Sequence, residues 1–159
     1  VAIGAHAALN LIAAGLSVTA VVKPGDAALA EVLAREGCAV TVCANAAHGM
    51  GASLAHGIGE ARDADAWIVA LADMPRIKPE SIAAIANELS AGRELVAPVY
   101  QGQRGHPVGI GKRFRAQLLA LSGDAGARDI ISAHKDEMTL VECNDAGVLA
   151  DIDRRSDLG

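Results

Sequence analysis

The sequence predicts an α/β domain built on a doubly wound, mostly parallel sheet with helices on both faces, and three observations point there. Short β-branched runs alternate with longer stretches of helical spacing in the order β-α-β-α-β-α-β. The run at residues 66–72 (AWIVALA) is apolar at every position, as suits a strand covered on both sides. A hairpin pattern appears only once, near residue 103, so antiparallel pairing is expected to be a small element.

Each element has a local justification. Residues 5–14 carry an Ala/Leu/Ile helix pattern that stops at Gly15. Residues 17–22 (SVTAVV) read as a strand ended by Lys23-Pro24-Gly25. Asp26 stands where an N-cap belongs, before a helix over 27–36 that Gly37 stops. Residues 38–43 (CAVTVC) are a second strand, 45–51 a loop and 52–61 a helix. The apolar run at 66–72 is broken by Asp73-Met74-Pro75. Pro79 fits the first position of a helix that reaches about residue 91 and closes at Gly92. A fourth strand at 94–99 leads through a turn at 100–105 (YQGQRG) to a return at 106–110. Helices over 113–121 and 127–134 precede short strands at 138–143 and 148–152. A parallel sheet ordinarily has a strand feeding its first helix, and none stands before residue 5. The single domain expected over 1–159 therefore looks short of an N-terminal strand.

Composition narrows the function classes. A chain of 159 residues, 52% hydrophobic and 21% charged, suits one globular domain. A net charge of -5, no basic stripe and 2% aromatics argue against nucleic acid as a partner. No apolar run is long enough to span a membrane and no signal peptide is visible, so a cytoplasmic protein is expected. Cys38, Cys43 and Cys143 are odd in number. The first two fall on opposite faces of one strand, so free thiols are expected.

Ligands of open α/β sheets collect at the carboxyl ends of strands, so polar residues after apolar runs are the candidates. Asp73 follows the third strand and is turned to the sheet rim by Pro75, a place suited to an oxygen-ligated Mg²⁺ that bridges phosphates. It would equally serve as a turn residue. Asn45, Gly49, Gly51 and Ser53 form a loop and helix start that fit an anion. The spacing fails the dinucleotide fingerprint, and a simple capped connection is the competing reading. Gly105, His106 and Pro107 could present a hydrogen-bond donor, with Asp124 as a ligand and Arg128 as a phosphate fork; a hairpin tip and a helix start explain them too. Asp151 and Asp153 would share one strand face, where Asp153 could join Asp73 at a metal, or lie on a solvated edge. No nucleophile elbow or zinc spacing occurs; His48 and His56 do not pair as ligands, and His6 and His134 are expected on helix surfaces.

The stretches GMGASL (49–54), LADMP (71–75), APVYQGQRGHPV (97–108), LLALSGDAGARDII (118–131) and DID with DL (151–158) together resemble the molybdenum cofactor cytidylyltransferases and the related molybdopterin-guanine-dinucleotide synthases. The resemblance covers nearly the whole chain, and RGHPV followed by SGDAGAR is its most specific part. It implies a three-layer, Rossmann-like (glycosyltransferase-A-like) fold and Mg²⁺-dependent transfer of a nucleoside monophosphate from CTP or GTP to molybdopterin. A molybdoenzyme or its chaperone is an implied partner. By resemblance Asp73 holds the metal and Asp153 is a second metal carboxylate. Asn45, Gly49, Gly51, Ser53 and Pro75 lie on the nucleotide side, and Gly105, His106, Pro107, Asp124 and Arg128 on the pterin side. His106 is the expected second catalytic residue. A non-catalytic nucleotide- or cofactor-binding accessory protein is the rival reading.

The chain departs from the family pattern in three places. The family's N-terminal glycine-rich nucleotide loop is not present. Arg154-Arg155 follow the DID segment in place of Thr-Pro, and Gly109 stands where a larger apolar residue is common.

Overall fold

The computed structural model describes residues 3–46, 49–124 and 126–150. Helix α1 (Ile3–Ala13) leads into strand β1 (Thr19–Val22), helix α2 (Ala27–Arg35) and strand β2 (Ala39–Val42). β1 and β2 pair in parallel with Thr19 opposite Ala39 and Val22 opposite Val42. Ala5, Ala8, Val22, Leu33 and Cys38 close a small core between α1, α2 and this pair.

Helix α3 (Met50–Glu60), strand β3 (Ala66–Val69), helix α4 (Pro79–Ser90) and strand β4 (Leu95–Tyr100) continue the alternation. A two-residue turn at Gln101 and Gly102, both at positive φ, then reverses the chain into β5 (Gln103–Arg104) and β6 (Val108–Gly111). Helices α5 (Arg115–Leu119) and α6 (Arg128–Ala133) and strand β7 (Thr139–Glu142) follow. β6 lies between β3 and β4 and is antiparallel to both, while β7 is parallel to β4. β3, β4 and β7 therefore share one direction, and the reversed β5–β6 chain is the antiparallel element. It sits inside the sheet, where the sequence suggested only a local hairpin.

Helix α3 holds the two sheets side by side. Gly57 brings it against β1, where a Cβ would come within 2.8 Å of Val21 Cγ2. At its end the Ala61 carbonyl accepts a 2.8 Å hydrogen bond from Trp67 Nε1 on β3. Ile58, Trp67, Leu95, Ile110, Phe114, Leu118 and Ile130 form the main core over the second sheet. Burial of each such large side chain contributes about 1.5–3 kcal/mol.

Several boundaries differ from the sequence reading for visible reasons. β3 stops at Val69, opposite Val108; the next residue of that chain to face β3 would be His106, and its N–H goes to the Val148 oxygen instead. α3 begins at Met50 after Gly49 at φ 111, two residues early. Asp26 occupies the N-cap of α2, but its side chain makes no capping bond. The helix expected from residue 113 divides into a 3₁₀ turn, Lys112–Phe114, and α5. The strand expected over 148–152 is corrected: Ala146–Val148 form a 3₁₀ turn, and residues 151 and 152 lie outside the described residues. His134 is half-buried at the end of α6. Its ring meets Phe114 edge-on at 5.0 Å, and its Nδ1 lies 2.6 Å from Glu137 Oε2. Among the described residues no helix is long and apolar enough to cross a membrane.

Candidate functional site

The first half of the site is a contact between two loops. After β2 the chain turns at exposed Asn45 and enters α3 through Gly49. A Cβ on Gly49 would lie 2.3 Å from Asp124 Oδ1 and 2.5 Å from the Gly123 carbonyl oxygen. The Gly51 N–H donates to that same oxygen at 2.7 Å, and a Cβ on Gly51 would come within 2.5 Å of the Ser122 oxygen. The two glycines are thus required by backbone resting on backbone. Asp124 and Arg128, the first residue of α6, are exposed beside this contact. The geometry amends two expectations. Ser53 is the fourth residue of α3 and not its cap, its N–H turned to the Gly49 oxygen at 3.4 Å. One of the helix's free N–H groups, that of Gly51, is already used by Gly123.

The second half lies where β3 and β4 end. Half-buried Asp73 sits on the turn that follows β3. Asn10 Nδ2 donates to the Pro75 carbonyl at 2.8 Å and pins this turn to α1. Opposite it, Pro98 shapes the wall. Pro98 is buried mid-strand, and its carbonyl accepts from the Gly105 N–H at 2.8 Å. In an antiparallel ladder a residue's N and O face the same neighbour, so Pro98 offers the β5–β6 chain an acceptor but no donor. The ladder breaks there, and residues 105–107 bulge away between β5 and β6, with the His106–Pro107 bond cis. The His106 N–H is satisfied instead by the Val148 oxygen at 2.9 Å. Gly105 is needed because a Cβ there would lie 2.2 Å from that oxygen.

Between the two walls opens a cleft of about 270 Å³ lined by Leu71, Met74, Arg104, Gly105, His106, Val148 and Leu149. Gly105 and His106 line this cleft together with Leu71 and Met74, the residues that flank Asp73 on its turn, while Asp73, Pro75 and Pro107 are not among its lining residues. Gly49, Gly51 and Asp124 meet at the α3 N-terminus with Ser53 in the helix's first turn, while Asn45 lies on the loop before it and Arg128 begins α6. Asp153 and His48 lie outside the described residues. Among the described residues no group of three or more His, Cys, Asp or Glu is arranged to hold a metal. The clear charge perturbation lies at the opposite end of the sheet. There Glu137 is held below the usual carboxylate range by its hydrogen bond from Arg113 and then by His134.

Asp145 has a structural part that the sequence reading passed over. Its carboxylate is 3% exposed and accepts from Lys78 N at 2.8 Å, Ser81 Oγ at 2.7 Å and Gly147 N at 2.9 Å. An Asp two residues before a Gly is a turn signal, and nothing local tells that its second oxygen reaches a helix far back in the chain.

The comparisons agree on the kind of protein. Residues 2–138 match the model of the MobA-like NTP transferase domain. No curated protein matches the sequence significantly. Among solved structures, Rv0371c from Mycobacterium tuberculosis H37Rv, in complex with manganese, is similar at TM-score 0.79 and 19% identity, covering 98% of this chain and 83% of that one. A nucleotidyl transferase from Methanothermobacter thermautotroptrophicus, Mth528, is similar at TM-score 0.81 and 19% identity, over 98% of this chain and 76% of that one. An Rv0371c homologue from Mycobacterium sp. strain JC1 gives 0.73 and 17%, over 96% and 79%. At such identities the structures speak for the Rossmann-like α/β fold, and the match over residues 2–138 speaks for the family: this chain belongs to the MobA-like NTP transferases.

Proposed function

We propose that the chain transfers CMP from CTP to the terminal phosphate of molybdopterin, with Asp73 at the metal and His106 beside the acceptor. The observation that carries this reading is the cleft, lined on one side by Leu71 and Met74, which flank Asp73, and on the other by Gly105 and His106 of the bulge. An acceptor phosphate oxygen forms a new bond to the α-phosphorus, the bond from that phosphorus to the bridging oxygen breaks, and pyrophosphate leaves. Such chemistry depends on alignment and on offsetting negative charge more than on a covalent intermediate.

A Mg²⁺-like ion takes one or two protein carboxylates and fills its shell with water and phosphate oxygens, so one half-buried Asp on the β3 turn suits it. When bound, such an ion neutralises charge on the α-phosphate and the leaving oxygens. Manganese in Rv0371c fits a divalent ion of this kind. The protein's own groups do the rest. Gly49 and Gly51 let the 122–124 loop rest on the start of α3, which sets Asp124 beside Gly49. Arg104 brings positive charge to the cleft wall, and His106 offers a ring nitrogen to the acceptor. Asp124, on the loop that rests on α3, and Arg128, at the start of α6, are both exposed and belong to the proposed acceptor-binding set.

The test is turnover of CTP and, in parallel, GTP with molybdopterin and Mg²⁺, by the unmutated protein and by Asp73→Asn. The variant is expected to lose at least ~100-fold in turnover, as for other key electrostatic groups, with its fold intact by circular dichroism. A near-normal rate in Asp73→Asn overturns the assignment, and preference for GTP would turn the reading to guanylyl transfer.

A further inference from the structure

We infer that Asp145 is a positioning residue of the cleft, holding the His106 bulge in place through the Ala146–Val148 turn; this rests on the reaction proposed above. The chain of bonds is continuous. Oδ2 of Asp145 accepts from Lys78 N and Ser81 Oγ at the start of α4, and Oδ1 accepts from Gly147 N. The next residue, Val148, accepts the His106 N–H at 2.9 Å and lines the cleft. Gly147 lies so close to the loop after Met74 that a Cβ would come within 2.1 Å of the Arg76 oxygen. One buried carboxylate therefore ties together the helix that follows the Asp73 turn, the 3₁₀ turn behind the cleft and the backbone of His106.

The chemistry explains why a carboxylate stands here. Negative charge at a helix N-terminus is favourable, and α4 has no side-chain cap of its own at Lys78. Capping α4 alone would need a single acceptor, which an Asn supplies. Bonding α4 and Gly147 together needs acceptors on both oxygens, because an Asn would turn its NH₂ against one of the two N–H groups. Burying a carboxylate is costly unless its oxygens are bonded, and the three bonds here join the start of α4 to the turn behind the cleft.

The test compares Asp145→Asn with Ser81→Ala, which removes one bond on the α4 side and keeps the bond to Gly147. Amide exchange at His106, followed by NMR under conditions where both variants are folded, is the first readout. It is expected to quicken ~10-fold more in Asp145→Asn than in Ser81→Ala, roughly the weight of one hydrogen bond. The second readout is kinetic. The acceptor KM should rise ~10-fold in Asp145→Asn while the CTP KM stays within ~2-fold, the mark of acceptor misplacement and not of general loss of fold. Equal His106 exchange in the two variants would reduce Asp145 to a cap of α4 and overturn the inference. If Asp145→Asn does not fold, native-state exchange of the unmutated protein decides. His106 and Gly147 amides should then open together and show the same urea dependence, and independent opening refutes the link. A wild-type chain without turnover would overturn the proposed reaction alone, since the exchange result stands apart from activity.

Discussion

Replacing Gly51 by Ala should destabilise this protein, although the same replacement in an ordinary helix does the opposite. Gly51 is the second residue of α3, and helix propensity favours Ala over Gly by roughly 0.5–1 kcal/mol. The structure opposes that gain. A methyl at Gly51 would lie 2.5 Å from the Ser122 oxygen and 2.9 Å from the Gly123 oxygen, both backbone atoms that cannot swing aside. Overpacking of this kind costs about 1–3 kcal/mol. Forcing the loops apart also weakens the 2.7 Å bond from Gly51 N–H to Gly123, for about 1 kcal/mol more. The net expectation is a loss of roughly 1–3 kcal/mol. Gly59 supplies the control inside the same helix, since a Cβ there meets nothing nearer than Leu119 Cδ2 at 3.9 Å. Gly59→Ala should therefore gain roughly 0.5 kcal/mol, somewhat under the mid-helix value because it lies in the last turn. Urea unfolding of the two variants reads this directly as midpoint shifts of opposite sign. A Gly51→Ala protein as stable as the wild type would mean that the loop at 122–124 does not rest on α3, and the first half of the site would have to be redrawn.

Three further outcomes follow from other parts of the molecule. Asn10→Ala removes the side chain that holds the Pro75 carbonyl, and it should lower stability by about 1 kcal/mol in urea titration and loosen the turn that carries Asp73. Glu137 has its pKa lowered first by Arg113 and then by His134, so its contribution is present above the ordinary carboxylate pKa and fades as pH falls through the lowered one; wild type and Glu137→Gln should converge in stability at acid pH and separate toward neutrality, less so in high salt. The Cys38 thiol is pushed up first by burial and then by Glu36, so a thiol reagent at neutral pH should label it only as fast as the protein opens, whereas labelling at the free-thiol rate in the folded protein would contradict its packing.

Those outcomes separate what local sequence could tell from what it could not. The helices and strands were legible because glycines such as Gly15, Gly37 and Gly92 stop helices at positive φ, and because apolar runs of strand length stand between them. Gly105 and His106 were legible as residues at a strand end and line the cleft, and the turn that carries Asp73 borders it through Leu71 and Met74. Long-range contacts were not legible. The pairing of Gly49 and Gly51 with residues 122–124, the edge-on contact of His134 with Phe114 and the reach of Asp145 to α4 each join segments far apart in the chain, and each residue on its own looks like a turn or surface residue. The insertion of β6 between β3 and β4 was hidden for the same reason, since a hairpin pattern fixes only the neighbour that the turn supplies.

Pro98 shows how near the remaining information lay. A proline in the buried run LVAPVY contradicts a continuous central ladder, and that contradiction alone requires the partner chain to leave the ladder opposite it. The partner there is Gly105-His106-Pro107, so one missing N–H in β4 accounts for the break in pairing, for the bulge and for the placement of His106 on the cleft wall. A site residue can thus be positioned by a hydrogen bond that its neighbour is chemically unable to make.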